Sequence, residues 1–280
     1  MINPVGIMQG RLSKPISGNI QIFPSSSWER EFEKASLIGF YSIEWIFDTV
    51  PNNPIMNKNE IQKIKTNSRN YDVKINSVCA DYFMSKKLFN ENKTQIQNNL
   101  AVLEKLIENC VDLDIPIIEI PLVDSSSLKT SNDKDDLIKN LEKILEKLEN
   151  TEIVIALETD LEPNSFKSLL QKFDHPKLKA NYDIGNSISN GYDPKIELEL
   201  LKNWIINIHI KDRKLHGSTV PLGDGDVDFD IFFSMVNKIC YSGEFIIQGA
   251  REDLHEQSIN PEKTCEKYLN FVQYFLNKYS

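Results

Sequence analysis

A regular alternation of two hydrophobic periods constrains this chain most. Short apolar, β-rich runs stand at 5–9, 42–45, 74–79, 117–121, 153–158, 178–183, 205–210 and 244–248. Each is followed by a longer segment with 3.6-residue patterning, at 28–39, 57–70, 92–112, 133–149, 164–173, 195–203, 229–240 and 261–278. Start signals precede several of the helical segments: Ser27 before Trp28, Asn132 before Asp133, Asp193 before Pro194 and Asn260 before Pro261. Segment 133–149 illustrates the pattern, with Leu137, Leu141, Ile144, Leu145 and Leu148 on one stripe and lysines and glutamates opposite.

Continuous apolar runs are the mark of strands buried on both faces, as in a parallel sheet covered by helices. Eight strand–helix units in 280 residues therefore predict an α/β fold, a closed (β/α)8 barrel, a form that commonly occupies about 250 residues. The competing open, doubly wound sheet would carry a glycine-rich phosphate turn after its first strand. Here Gly6-x-x-x-Gly10 has neither the dinucleotide spacing nor the P-loop lysine. No Pro/Ser-rich linker divides the chain, and the polar stretch 124–136 reads as a strand-to-helix loop. Residues 1–280 are expected to form a single barrel domain.

Composition narrows the partners. A net charge of −9 with 26% charged residues argues against non-specific binding to nucleic acid, whose phosphates must be neutralised by Lys and Arg. The first residues contain Pro4, Gln9 and Arg11 and no basic segment ahead of an apolar one, so no signal peptide is read. The apolar stretch 115–123 is interrupted by Pro116, Glu119 and Pro121, short of the roughly 20 residues a membrane span needs. A cytoplasmic location without membrane partners is expected. Cys79, Cys110, Cys240 and Cys265 form no C-x-x-C pair, and most are expected to be core thiols.

In a parallel barrel the active site lies at the C-terminal ends of the strands. Strand five ends in Ala-Leu-Glu158-Thr, strand six in Asn-Tyr-Asp183-Ile-Gly-Asn186, strand seven in Ile-His209-Ile-Lys211-Asp212-Arg213 and strand eight in Ile-Ile-Gln248-Gly-Ala-Arg251. Two carboxylates, an imidazole and an amide oxygen from four successive strands suit a divalent cation such as Mn²⁺, Mg²⁺, Co²⁺ or Zn²⁺. Taken singly, such a carboxylate often caps a helix or pairs with a surface cation, and a lone His is often a satisfied core residue. Joint occurrence at one end of four consecutive units favours Glu158, Asp183, His209 and Gln248 as ligands.

Arg11, Lys211, Arg213 and Arg251 fall just beyond strand ends, where they can hold a phosphate or carboxylate, or simply pair with loop acids. Arg11 and Arg251 belong to strands one and eight, neighbours in a closed barrel, which makes a joint anion site reasonable. Glu44 ends strand two and is a candidate for the pocket or for a core salt bridge. Trp45, Tyr82 and Phe83 could wall a sugar face or pack in the core. The segment Gly223-Asp-Gly-Asp-Val-Asp228-Phe lacks the twelfth-position Glu of a calcium loop. It reads as a glycine turn with Asp226 or Asp228 capping the next helix, placed to act as a lid.

The order Glu, Asp-x-x-Asn, His-x-Lys-Asp-Arg and a polar residue ending strand eight resembles the xylose isomerase-like barrel superfamily. That group includes sugar phosphate isomerases and epimerases, inosose dehydratases and endonuclease IV. The resemblance extends to Gly6-Ile-Met-Gln-Gly-Arg11-Leu, Ile43-Glu44-Trp45 and Val220-Pro-Leu-Gly223-Asp-Gly225-Asp-Val-Asp-Phe. It implies one divalent metal held by Glu158, Asp183, His209 and position 248, with the chain departing from the pattern by carrying Gln248 where the family has Glu. It also implies proton transfer next to a carbonyl through a metal-stabilised enediolate, Glu158 serving as base, Lys211 as a catalytic cation and Arg11, Glu44, Asn186, Arg213 and Arg251 as substrate contacts. Asn186 stands where sugar-binding relatives often have His.

Because Gln248 cannot transfer a proton, a second acid or base would come from Glu44, Asp81, Asp212 or His216, and aldose–ketose isomerisation fits slightly better than 3-epimerisation. The implied partner is a small sugar or sugar phosphate, and barrels of this kind frequently form homodimers. Three alternatives remain: a barrel that binds sugar without turnover, an inosose dehydratase-like lyase, and an endonuclease IV-type nuclease. The last requires a three-zinc, histidine-rich cluster, whereas His175, His209, His216 and His255 are the only histidines in the chain.

Overall fold

The computed structural model describes residues 3–16, 21–251 and 260–279. Eight parallel strands, Val5–Met8, Ser42–Ile46, Ser77–Cys79, Ile117–Leu122, Val154–Thr159, Leu178–Asp183, Ile205–Ile210 and Glu244–Ile247, close into a barrel in chain order. They are called the first to eighth strands below. Closure brings the two ends of the sequence together, with Val5 in register with Phe245 and Ile7 with Ile247. The long helices between and after them are Trp28–Ile38, Lys58–Tyr71, Lys93–Asp112, Ser131–Leu148, Pro163–Phe173, Pro194–Leu201, Phe229–Lys238 and Pro261–Tyr279. This is the (β/α)8 TIM barrel that the alternation of periods predicts.

Local signals account for most boundaries. Asp193 accepts from Lys195 N at 2.8 Å and Asn260 from Glu262 N at 3.0 Å, as N-caps should. The helix expected after Asn132 instead starts two residues earlier, at Ser131, with Thr130 as its cap. Thr130 Oγ1 accepts from Asp133 N at 3.1 Å, and the Asp133 carboxylate accepts from Thr130 N at 2.8 Å, a reciprocal capping box. Ser27 occupies its cap position, but its hydroxyl pairs with Ser13 Oγ at 2.7 Å and leaves the helix uncapped by a side chain. The third strand begins at Ser77, later than position 74, because Lys74 makes only an isolated bridge to Ser42.

Leu137, Leu141, Ile144, Leu145 and Leu148 are all buried against the barrel, so the stripe read in the sequence is the packing face. Around the eighth strand and the last two helices, Phe233 stacks on Phe275 at 5.3 Å and meets Phe245 at 5.6 Å. Trp45, on the second strand, is also a core residue and does not line the cavity described below. Its indole N–H donates to Asn53 Oδ1 at 2.9 Å and its ring lies between Phe23 and Trp28.

The barrel interior is polar along its axis. Near the N-terminal ends of the strands, Glu244 accepts from Ser42 Oγ and, at 2.9 Å, from Asn76 Nδ2. Gly6 stands against that pair, and any Cβ there would overlap Ser42 Oγ, which explains the glycine. At the opposite end, loops too short for periodicity to reveal add the helices Tyr82–Ser85 and Ile184–Ser189 and a two-stranded ribbon, Asp212–Arg213 with Thr219–Val220.

Candidate functional site

The fifth, sixth and seventh strands deliver their terminal polar residues to one point. A register shift between Ala180 and Asn181 re-aims the end of the sixth strand, after which Asp183 lies level with His209. Glu158 accepts from Asn181 Nδ2 at 2.7 Å and Asn186 Nδ2 at 2.6 Å, and one of its oxygens lies 3.1 Å from His209 Nδ1. Asp183 Oδ1 caps the helix Ile184–Ser189 by accepting from Asn186 N at 2.8 Å, while Oδ2 faces Lys211 Nζ at 2.8 Å and His209 Nδ1 at 4.0 Å.

His209 has a second carboxylate behind it. Its Nε2 lies 2.8 Å from Glu44 Oε2, and Glu44 Oε1 accepts from Asn207 Nδ2 at 2.9 Å. Both residues are fully buried. Glu44 therefore sits at the floor beneath His209, and its contacts are those of a group that orients the imidazole. Burial alone would lower the pKa of His209, but the Glu44 and Glu158 carboxylates outweigh it and hold the imidazole well above its ordinary range. Burial likewise opposes charge on Glu158, yet the bonds and charges of His209, with Lys211 and Asn181, bring its pKa below the usual value. Lys211 is raised because Asp183 and Glu158 more than offset its desolvation.

Of these residues, Glu158, Asn186 and Lys211 open onto a cavity of about 450 Å³ that Glu119, Arg213 and Gln248 also line, together with Arg11, Asp81 and residues of neighbouring loops. Gln248 Nε2 donates to Gln21 Oε1 at 2.8 Å, and its carbonyl oxygen is buried without a partner. Arg213 Nη1 donates to Asn186 Oδ1 at 2.9 Å while Nε and Nη2 bind Gly217 O, so it ties the ribbon to the site. Arg11 and Arg251 do approach each other. Burial, then the neighbouring Arg251, lowers Arg11 to about 10. Arg11 reaches the cavity and donates to Gly249 O at 3.0 Å, whereas Arg251 donates to Ser13 O at 2.9 Å behind the cavity wall.

The glycine turn is built around a carboxylate. Asp212 Oδ2 accepts from Gly223 N and Gly225 N, each at 2.9 Å, and Oδ1 from Val227 N at 3.2 Å. A Cβ at position 225 would overlap Asp212 Oδ1. Asp228 caps the following helix by accepting from Ile231 N at 2.9 Å, and Asp226 instead accepts from Leu215 N at 2.7 Å. Ser218 and Thr219 of the same ribbon line the cavity.

Glu119 is the residue that motif reading passed over. On the fourth strand it interrupts an apolar stretch, yet it is fully buried and faces the cavity. Neither oxygen has a hydrogen-bonding partner of ordinary geometry, the weak thiol donor of Cys79 being the nearby group. Burial, with Glu158 adding to it, pushes its pKa well above the carboxylate range. A carboxylate inside a continuous apolar strand was the available signal, since burying one without compensation is costly.

The donor set fits a divalent cation. Glu119, Glu158 and His209 each offer one ligand atom within 4.8 Å of the others, and Asp183 lies beside them. Oxygen atoms of Glu119 and Gln248 are left unpartnered at the same place. Carboxylate, imidazole and amide oxygen together suit Mn²⁺, Mg²⁺, Co²⁺ or Zn²⁺. A nuclease-type histidine cluster is not assembled among the described residues. His175 stands near Glu149 ahead of the sixth strand and His216 on the ribbon, while His255 lies outside the described residues. No helix among the described residues is long and apolar enough to cross a membrane.

Among known proteins, the L-ribulose-5-phosphate 3-epimerase UlaE of Shigella flexneri serotype 5b is 24% identical over 201 residues, covering 69% of this chain and 71% of its own. A solved L-ribulose 3-epimerase superposes with a TM-score of 0.80 at 13% identity, covering 99% of this chain and 95% of that one. The D-psicose 3-epimerase of Clostridium cellulolyticum H10, solved with D-tagatose, gives 0.76 at 13% identity over 98% and 99%. The pattern of the xylose isomerase-like TIM barrel family matches residues 32–272, and with the closed barrel and its converging strand ends this chain belongs to that family.

Proposed function

We propose that this protein is a divalent-metal-dependent epimerase or isomerase of a small sugar or sugar phosphate. The observation that carries this reading is the convergence of Glu158, Asp183 and His209 from consecutive strands on one point, behind a cavity lined by Glu158 and by Glu119 and Gln248, whose oxygens are unpartnered. A relative named as acting on a ketopentose phosphate by 3-epimerisation supports that substrate class. It also shifts the balance from aldose–ketose isomerisation, the preference drawn from Gln248, towards epimerisation.

Glu158 is the base. Its ionised form is stabilised where it stands, so it is charged and oriented when substrate arrives. A cation held by Glu158, Asp183 and His209 would supply positive charge to polarise the substrate carbonyl and offset the charge of an enediolate. Lys211 holds Asp183 in place and brings a further positive charge to the cavity wall. Glu44 is too deep to meet a sugar and Asp212 is committed to its loop. His216 stands exposed on the ribbon away from the cavity lining, which leaves Asp81, a lining residue that burial raises to about 6, as the second proton-transferring group in place of Gln248. Arg11 and Arg213 supply the donors for substrate oxygens, with Asn186 between Glu158 and Arg213 fixing their spacing.

The test is a screen of ketopentoses and their phosphates with Mn²⁺ in D₂O, following exchange at the carbon next to the carbonyl by NMR. Glu158→Gln should reduce exchange by about 10²-fold or more with an unchanged circular dichroism spectrum. Undiminished turnover in that variant would sink the assignment.

A further inference from the structure

We infer that Glu119 is a metal ligand of this chain and supplies the negative charge missing at Gln248. The inference rests on the metal-dependent reading above and concerns which residues complete that site. Three observations carry it. From the fourth strand, Glu119 offers a ligand atom within 4.8 Å of those of Glu158 and His209. It is fully buried with both oxygens unpartnered, and it faces the cavity onto which Glu158 and Gln248 open. Gln248, where the resemblance expects a carboxylate, offers only a neutral amide oxygen.

Charge accounting gives the same answer. The resemblance places three carboxylates around the cation, and Gln248 leaves two, Glu158 and Asp183, of which Asp183 is already paired with Lys211 at 2.8 Å. Glu119 restores that third carboxylate. Its position also explains why an unpaired acid is tolerated in the middle of Ile-Ile-Glu-Ile-Pro. Groups of this kind require a reason, and a cation that arrives with the ligands already oriented provides one.

The experiment compares metal binding, not turnover. Protein stripped of metal is titrated with Mn²⁺, free ion being read by electron paramagnetic resonance. The wild-type chain, Glu119→Gln, Gln248→Glu, the double variant Glu119→Gln/Gln248→Glu, and Asp183→Asn are compared, with thermal melts to confirm folding. The expected result is one equivalent in the wild-type chain, an affinity at least about tenfold weaker in Glu119→Gln, and recovery to within about threefold in the double variant. Wild-type affinity in Glu119→Gln alongside loss in Asp183→Asn would overturn the inference while leaving the metal-dependent reading intact. Absence of binding by the wild-type chain would overturn both. If Glu119→Gln melts early, the wild-type chain against Gln248→Glu still decides. A third carboxylate already in place predicts less than about a threefold gain from a fourth, and a gain of a hundredfold would show the third charge to be absent.

Discussion

Replacing Asp212 by Asn should loosen the glycine turn that borders the cavity without disturbing the barrel. Asp212 is buried, and its two oxygens receive three backbone N–H groups at 2.9, 2.9 and 3.2 Å. An amide keeps one accepting oxygen and turns an NH₂ towards N–H groups that also donate, so one or two bonds to a charged acceptor are lost. At about 1.5–3 kcal/mol for a bond to a charged group, the loss is about 3 kcal/mol. If the turn opens locally, amide exchange at Gly223, Gly225 and Val227 should accelerate by about a hundredfold in native-state hydrogen exchange. Barrel-strand amides such as those of Ile208 and Ile246 should be unaffected. Because Ser218 and Thr219 of the adjoining ribbon line the cavity, KM should rise more than kcat falls. Unchanged exchange at the three amides would refute the claim that this carboxylate organises the turn.

Two further outcomes follow from buried groups elsewhere. Glu197 is raised to about 7, burial dominating over its bonds from Ser187 and Tyr182. Since its folded pKa lies above the unfolded value, its contribution is present below about pH 4.5 and is lost as pH rises through 7. Glu197→Gln should therefore lose about 2–3 kcal/mol less than the wild-type chain between pH 5 and pH 8 in urea denaturation, and parallel pH profiles would contradict this. Leu141→Ala, at a fully buried position on the packing stripe, should cost about 2–5 kcal/mol by the same method, and a loss under 1 kcal/mol would mean the helix face is not packed as described.

Much of the candidate site was legible because barrel geometry converts strand order into spatial neighbourhood. Glu158, Asp183 and His209 end consecutive strands, so once the chain is a barrel their meeting follows from connectivity. Asn186 and Lys211 were reachable for the same reason, since each lies within three residues of Asp183 or His209. Glu119 was not, because it lies inside a strand and its neighbours are apolar, which gives no local motif. Glu44 was found, but its depth was not, and depth separates a group that touches substrate from one that holds His209.

The loops divide in the same way. Asp228 could be read as a helix cap from its place alone, whereas the role of Asp212 depends on amides 11 to 15 residues away. The sequence by itself determined the alternation of strand and helix, the end of the barrel that carries the chemistry, and the identity of the converging acids and imidazole, since these follow from periodicities of a few residues. Only the tertiary structure decided which polar groups are desolvated and unpartnered, which is why Glu119 and Gln248 emerge as open acceptors while Asp212 is committed to its loop. Desolvation depends on atoms brought from every strand at once, and no local pattern records it.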